Sequence, residues 1–354
     1  MTTVVVLGSG IMATALTFPL RQNGHEVRLV GTHLDRDIIE SIQTTGRHPD
    51  LDLVVEDGIT AYQLEDAEQA FDGADVVMSG VNSFGVDWVG EQLARLLRPG
   101  QTVLSVTKGM LADDDGTLEM IPDALKRIVG DELAGQVDWA AIVGPSIAGE
   151  LAVGHDTAVV FSGDKEEVVE RLAQLFRTDY YHVWTTTDFL GAEIGAATKN
   201  IYAFAAGFGE GLQLKEGDDA NERYRRLNLT AAIFAQGAQE MHRFYEILGG
   251  DPRMVWGLPG VGDMHVTSAG GRNVKAGTYV GSGIPFSEVR DSLMKGVTLE
   301  GVNAIRVVGA AIEKQIERGV LEAHEFPLLR HLHGIIARDE PIDLPWDEFF
   351  GGRK

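Results

Sequence analysis

The sequence predicts an α/β domain built on a parallel sheet, followed by an all-helical domain. Three features predict it. An apolar run at the N-terminus leads straight into a glycine-rich turn, apolar runs and helical segments alternate through the first half, and that alternation stops near residue 186. The chain has 354 residues, enough for about two domains with sizeable cores. The boundaries drawn from the pattern are 1–186 and 187–354.

The elements follow in order. Thr2-Thr3-Val4-Val5-Val6-Leu7 reads as an apolar, β-branched strand, and Gly8-Ser9-Gly10-Ile11-Met12-Ala13 follows it at once. The first glycine permits a tight strand-to-helix turn, the second lets backbone approach a pyrophosphate, and a small third residue lets the helix pack on the strand. Ala13-Thr14-Ala15-Leu16 continues as helix, and Gly24-His25-Glu26 turns into the strand Val27-Arg28-Leu29-Val30. Strand, turn, helix and strand within about 30 residues make a dinucleotide-binding βαβ unit, so this half is a Rossmann-type domain. Further strands are read at 75–81, 102–106, 139–143, 157–162 and 181–184. Ligands gather at the carboxyl ends of such strands, which places Asn82-Ser83, Thr107-Lys108-Gly109 and Gly144-Pro145-Ser146 beside the cofactor. Beyond 186 the chain reads as helix. Thr187-Asp188 caps a long alanine-rich segment running to Phe208. Helical patterns recur over Tyr224–Leu248 and Leu299–Arg318, the polar stretch Lys215–Arg226 reads as loop or helix end, and Asp343–Phe350 reads as a surface-docked tail. A catalytic cleft is expected between the two domains.

Composition excludes several functions. The net charge of −23, from 30 basic and 53 acidic residues, lacks the basic footprint of a nucleic-acid binder. Zero cysteines mean no disulfide, no thiolate chemistry and no thiolate-bound metal. No histidine or carboxylate cluster has convincing metal-ligand spacing, so no metal is expected. No apolar run is long enough for a membrane span, no leader segment is visible, and a cytoplasmic location is expected. Only nine residues are lysines, and several lie in glycine-rich, otherwise uncharged surroundings.

Lys199 is one of them. It stands with Asn200 between Gly195-Ala196-Ala197 and Ile201-Tyr202-Ala203. Burial there would lower its pKa toward neutrality and suit it to general acid/base work. The plainer reading is a core-helix lysine whose ammonium reaches solvent. A second constellation, Asp263, Thr267, Arg272 and Asn273, supplies a carboxylate, a hydroxyl, a guanidinium and an amide on a glycine-rich segment. Arg272 has the fork that binds phosphate in bidentate fashion, and Asp263 could hold Lys199. A solvated turn with a structural ion pair accounts for the same composition. His155-Asp156 and His265 read as structural or surface groups.

The chain resembles the NAD(P)-dependent sn-glycerol-3-phosphate dehydrogenases over nearly its full length. The segments carrying the resemblance are Gly8–Leu16, Thr107-Lys108-Gly109, Gly144–Glu150, Glu193–Asn200, Gly257–Asp263, Gly270-Gly271-Arg272-Asn273 and Leu299-Glu300-Gly301-Val302, in the family's order. The resemblance implies an oxidoreductase of glycerophospholipid metabolism that interconverts sn-glycerol 3-phosphate and dihydroxyacetone phosphate. By it, Lys199 is the catalytic acid/base, Lys108 a second active-site lysine that also meets substrate and cofactor, and Asp263 a supporting catalytic group. Asn200, Thr267, Arg272, Asn273 and Ser146 would bind substrate. Gly8, Ser9, Gly10, Ile11, Met12, Thr32, His33, Asn82, Ala148, Arg272 and Glu300 would line the cofactor. It also implies a homodimer.

The chain departs from the family at Ala235-Gln236-Gly237, where many relatives have Thr-Arg-Gly. A longer polyol phosphate, or a hydroxyacid, is therefore the alternative substrate, and a non-enzymatic dinucleotide sensor is the alternative of another class. The cofactor is NAD or NADP. The second strand ends in Val30-Gly31-Thr32-His33 and has Asp35 only beyond. An acidic residue at the strand end would select NAD, whereas Thr32, His33 and Arg36 can meet a 2′-phosphate, which leans the reading toward NADP.

Overall fold

The computed structural model describes residues 1–55, 57–217 and 226–352. It divides into two compact units, one of residues 1–108 and 121–192, the other of 109–120 and 193–354.

The first unit is built on an eight-stranded sheet. Its strands are β1 (Thr3–Leu7), β2 (Glu26–Val30), β3 (Ile59–Tyr62), β4 (Val76–Ser79), β5 (Thr102–Ser105), β6 (Asp138–Val143), β7 (Thr157–Gly163) and β8 (Tyr181–Thr186). Their spatial order is β8-β7-β6-β5-β4-β1-β2-β3. Val4 to Leu7, Val27, Leu29, Val30, Val77 and Met78 are fully or almost fully buried, as expected of a sheet covered on both faces. All neighbours run parallel except β6 and β7. The alternation of apolar runs gives no sign of that reversal. Its cause is the connection: the helix after β6, Ala148–Ala152, has five residues and rises only about 8 Å, too little to recross a strand of about 20 Å. Strand β3 lies at the sheet edge, where its half-exposed, mixed composition hides it from a hydrophobic pattern.

The second unit is helical apart from one hairpin. Met110–Ala112 pairs antiparallel with Leu118–Met120, and Gly116 turns the chain with φ 82°. A side chain at Gly116 would strike the carbonyl of Ala311. Lys314 Nζ and Arg318 donate to the carbonyls of Asp114 and Asp115 at 3.0 and 2.9 Å, so the helix Glu300–Glu317 holds the hairpin. Strands of three residues leave no periodicity to read, and the hairpin is absent from the sequence-based pattern.

The lysine-bearing helix runs Phe189–Ala206. Asp188 Oδ1 accepts the N–H of Gly191 at 3.0 Å, which is the N-cap bond expected at its start. Gly207 separates it from the helix Phe208–Lys215. The longer helices that follow among the described residues are Leu227–Leu248, Asp263–Ser268, Arg272–Gly281, Glu300–Glu317 and Pro327–Arg338. Tyr224 and most of the polar stretch 215–226 lie outside the described residues. The ring pairs Phe204–Phe208 and Phe244–Phe326 stand 5.6 and 4.7 Å apart in the core of this unit. The tail docks with Leu344 and Phe349 buried. Among the described residues no helix is long and apolar enough to cross a membrane.

Candidate functional site

In the first unit the glycine-rich turn follows β1. Gly8 has φ 111°, and a Cβ there would lie 2.9 Å from the backbone of Gly80. Only glycine satisfies both constraints. Gly80 in turn lacks a side chain because Ala13 Cβ occupies that space, so helix and strands approach through three small residues. Gly10 starts the helix Ile11–Ala15 with no side-chain cap and no acidic residue in its first turn. A helix start of that kind fits the turn for the pyrophosphate of a dinucleotide.

The loop after β2 is bound to this turn. Asp35 Oδ2 accepts from Ser9 N at 3.1 Å and from Thr32 N at 2.9 Å. Buried His48 Nε2 lies 2.8 Å from the carbonyl of Ser9. Neither group was legible in the sequence as part of the turn, since each lies far along the chain from Ser9. His33 packs its ring on Trp88 with centroids 5.3 Å apart, and Arg36 is ion-paired with Glu65. Elsewhere in the unit, Lys108 Nζ donates to the carbonyl of Gly144 at 3.0 Å. Ser146 Oγ meets Met12 Sδ at 3.7 Å, Asn82 Oδ1 accepts from Phe84 N, and Ala148 is buried at the start of its short helix.

In the second unit Lys199 does not reach solvent; it is 7% exposed and Asp263 is 2% exposed. Lys199 Nζ donates to Asp263 Oδ1. Two glycines make the approach possible. At Gly195, one turn before Lys199, a Cβ would lie 2.8 Å from the Pro259 carbonyl, and at Gly260 it would lie 2.0 Å from the Val255 carbonyl. The irregular turn Leu258–Gly262 can therefore lie against the lysine helix and deliver Asp263 at the start of Asp263–Ser268. Thr267 Oγ1 donates to the Asp263 carbonyl at 2.7 Å and approaches Oδ1 at 3.5 Å. Lys199, Asp263 and Thr267 thus form one cluster.

A second group meets at the start of the helix Glu300–Glu317. Asn273 Oδ1 accepts from Gly301 N at 3.0 Å, and a Cβ at Gly301 would lie 2.4 Å from the Asn200 carbonyl. The segments bearing Asn200, Asn273 and Glu300 are therefore adjacent, and Arg272 lies exposed at the first position of its helix. Asn273 uses its carbonyl oxygen within the fold, leaving its amide N–H groups for a ligand. Among the described residues no group of three histidines or carboxylates could hold a metal ion.

Gln236 and Glu240 are both buried. Glu240 accepts from Leu328 N and Leu329 N at 2.6 and 2.9 Å, from Gln236 Nε2 at 2.9 Å and from the Tyr202 hydroxyl at 3.2 Å. All four donors are neutral. Burial pushes the Glu240 carboxyl up to about 7, against the pull of those hydrogen bonds. Gln236 Oε1 accepts from Phe350 N at 2.9 Å. The position where many relatives carry arginine is therefore an internal link between a carboxylate and the tail. The family resemblance marked Gln236 as a departure, whereas the sequence gave no sign of Glu240, an acidic residue within an ordinary amphipathic pattern.

Comparison with known proteins follows the same division. Residues 3–169 match the model of the NAD-dependent glycerol-3-phosphate dehydrogenase N-terminus, and 188–345 match that of its C-terminus. The chain is 34% identical over 290 residues to an NADP(+)-dependent glycerol-3-phosphate dehydrogenase of Archaeoglobus fulgidus, covering 82% of this chain and 83% of the relative. It is 33% identical to a glycerol-3-phosphate dehydrogenase [NAD(P)+] of Oceanobacillus iheyensis, covering 97% and 86%. Its fold superposes on the crystal structure of the glycerol-3-phosphate dehydrogenase of Coxiella burnetii with a TM-score of 0.77, at 25% identity, over 96% and 95% of the two chains.

Proposed function

The chain belongs to the NAD-dependent glycerol-3-phosphate dehydrogenase family, and on that premise we propose that it interconverts sn-glycerol 3-phosphate and dihydroxyacetone phosphate with NAD(P). The observation that carries the reading is the buried Lys199–Asp263 pair braced by Thr267. When bound, the reduced nicotinamide supplies the hydride for the carbonyl carbon. Lys199 holds a positive charge toward the carbonyl oxygen, stabilises the alkoxide as it develops and gives it a proton. Asp263 aims the ammonium, and Thr267 keeps the Asp263 carboxylate from turning. Arg272 binds the substrate phosphate, and Asn200 and the Asn273 amide complete the substrate contacts. That remote binding orients a three-carbon substrate. Lys108 and Ser146, both in the first unit, are assigned substrate contacts of their own, and Lys108 a cofactor contact as well.

The structure weakens the case for a longer polyol phosphate. That alternative arose from the missing arginine at 236, and Gln236 is bonded internally to Glu240 and Phe350. A sensor without turnover has no use for a buried lysine–carboxylate pair. The deciding experiment is oxidation of NADH and NADPH with dihydroxyacetone phosphate, run beside longer keto-sugar phosphates and hydroxyacid-forming ketoacids. Turnover of dihydroxyacetone phosphate above the others supports the reading, and turnover of another substrate alone rejects it. The reading extends to a cytoplasmic location and to a homodimer, the latter checked by light scattering at assay concentration.

The preference between cofactors is assigned to the loop 31–36. Asp35 places a carboxylate on Ser9 N, where it repels a 2′-phosphate and accepts a ribose hydroxyl. Arg36 opposes it once drawn from Glu65. Asp35→Asn is expected to raise the NADPH/NADH ratio of kcat/KM about tenfold, a change of about 1.4 kcal/mol, and Arg36→Ala to lower it several-fold. Unchanged ratios in both variants would remove the loop from specificity.

A further inference from the structure

The lysine helix is pinned on both sides of Lys199 by one neighbour. One turn before Lys199, Gly195 lies close to the side chain of Tyr245: a Cβ there would sit 2.9 Å from its hydroxyl oxygen. Three residues after Lys199, Tyr202 lays its ring over Gly237, where a Cβ would lie 2.7 Å from the ring. Gly237, Glu240 and Tyr245 all belong to the helix Leu227–Leu248. Ring packing sets the distance between the two helices, and a directional hydrogen bond adds a restraint on rotation about the helix axis. One such bond is made by the hydroxyl of Tyr202, which is buried in the core and donates to Glu240 Oε2 at 3.2 Å. Burial and the neighbouring carboxylate hold this phenol well above its ordinary pKa, so it remains a donor.

Glu240 is itself held from three other sides. Leu328 N and Leu329 N, in the first turn of the helix Pro327–Arg338, fix its carboxylate, and Gln236 fixes it to the tail. We infer that Glu240 is a positioning residue for Lys199, acting through the Tyr202 hydroxyl. It touches no reacting atom. It sets the rotation of the helix, and with it the direction in which the Lys199 ammonium leaves Asp263 for the substrate oxygen. An error of about 1 Å at that point costs on the order of a hundredfold in rate, so a partial release should cost less. Through Gln236, the same carboxylate makes the docked tail part of the frame that supports the lysine.

The inference rests on the proposed role of Lys199, and the test separates the two. Tyr202→Phe removes the hydroxyl and keeps the ring over Gly237. With dihydroxyacetone phosphate its kcat is expected to fall about tenfold, with the KM values of substrate and cofactor within about twofold of wild type. Glu240→Gln should lower kcat comparably, and the double variant should be no slower than the slower single, since both act through one bond. A Tyr202→Phe enzyme with wild-type kcat, or losses that multiply in the double variant, would overturn the inference. If the wild type does not turn over dihydroxyacetone phosphate, the proposed function fails and a substrate-free readout decides the positioning. That readout is the titration of the Lys199 Cε resonance in 13C-lysine-labelled protein, assigned with Lys199→Met. A midpoint displaced in both variants supports the inference, and one unchanged in both rejects it.

Discussion

Lys199→Met is expected to lower kcat by about 10³- to 10⁴-fold while leaving cofactor affinity near its wild-type value. A positioned proton donor contributes on the order of 10² to 10⁴ in rate, and loss of a charge that stabilises a developing oxyanion adds about 10² to 10³. The two overlap in one group, so the losses do not multiply. The substitution also has a structural cost. It strands the Asp263 carboxylate, 2% exposed, without its ammonium, and breaking a buried pair in this way costs about 3–5 kcal/mol. Asp263→Asn introduced beside Lys199→Met should therefore recover much of the stability and none of the activity. Steady-state rates with dihydroxyacetone phosphate and urea denaturation of the single and double variants separate the two effects. A Lys199→Met enzyme that retains more than about a tenth of kcat would remove the lysine from the chemistry.

Gly277→Ala is expected to be the most destabilising single-methyl change in the helical unit. The Cβ would lie 1.9 Å from the carbonyl oxygen of Phe204, a backbone atom of the lysine helix that no rotamer can move. Gly281 on the same helix faces Gly211, with a Cβ at 2.8 Å from its Cα, and Gly207 faces the Val274 carbonyl at 2.2 Å. The helix Arg272–Gly281 therefore meets two consecutive helices backbone to backbone, and an added methyl must push it away from them. Overpacking costs about 1–3 kcal/mol, and a loss at the upper end, expected against immovable backbone, lowers Tm by roughly 10 °C in a unit of this size. Because Arg272 and Asn273 open the same helix, the displacement should also raise the substrate KM. Gly270→Ala serves as the control, since its Cβ meets nothing within 4 Å and should change stability by less than about 0.5 kcal/mol. Equal melting temperatures for the two variants would contradict the close packing.

The residues proposed to carry the chemistry were legible before the fold. A buried run ending in Gly8-Ser9-Gly10 can make little else than a strand, a tight turn and a helix start, because each requirement is met within a few neighbouring residues. The Asp188 cap and the helices beginning at Phe189, Leu227 and Glu300 were legible for the same reason. Lys199 was conspicuous as a charge among alanines, though only the fold shows that its ammonium is turned inward to a carboxylate 64 positions away. The contacts hidden from the sequence join residues with no local relation. Asp35 binds the N–H of Ser9 across 26 positions, Asn273 spends its oxygen on Gly301, and Glu240 gathers Tyr202, Gln236, Leu328 and Leu329. The reversal at β7 and the hairpin at 110–120 belong with them. Their strands are too short, or their connections too slight, to imprint a period. Local backbone preference and apolar spacing thus determined the class of fold and the turn for the dinucleotide, and marked Lys199 as a candidate acid/base. Which polar groups meet in the interior was decided by packing, because burying a carboxylate or an ammonium is affordable only where distant segments bring its partners.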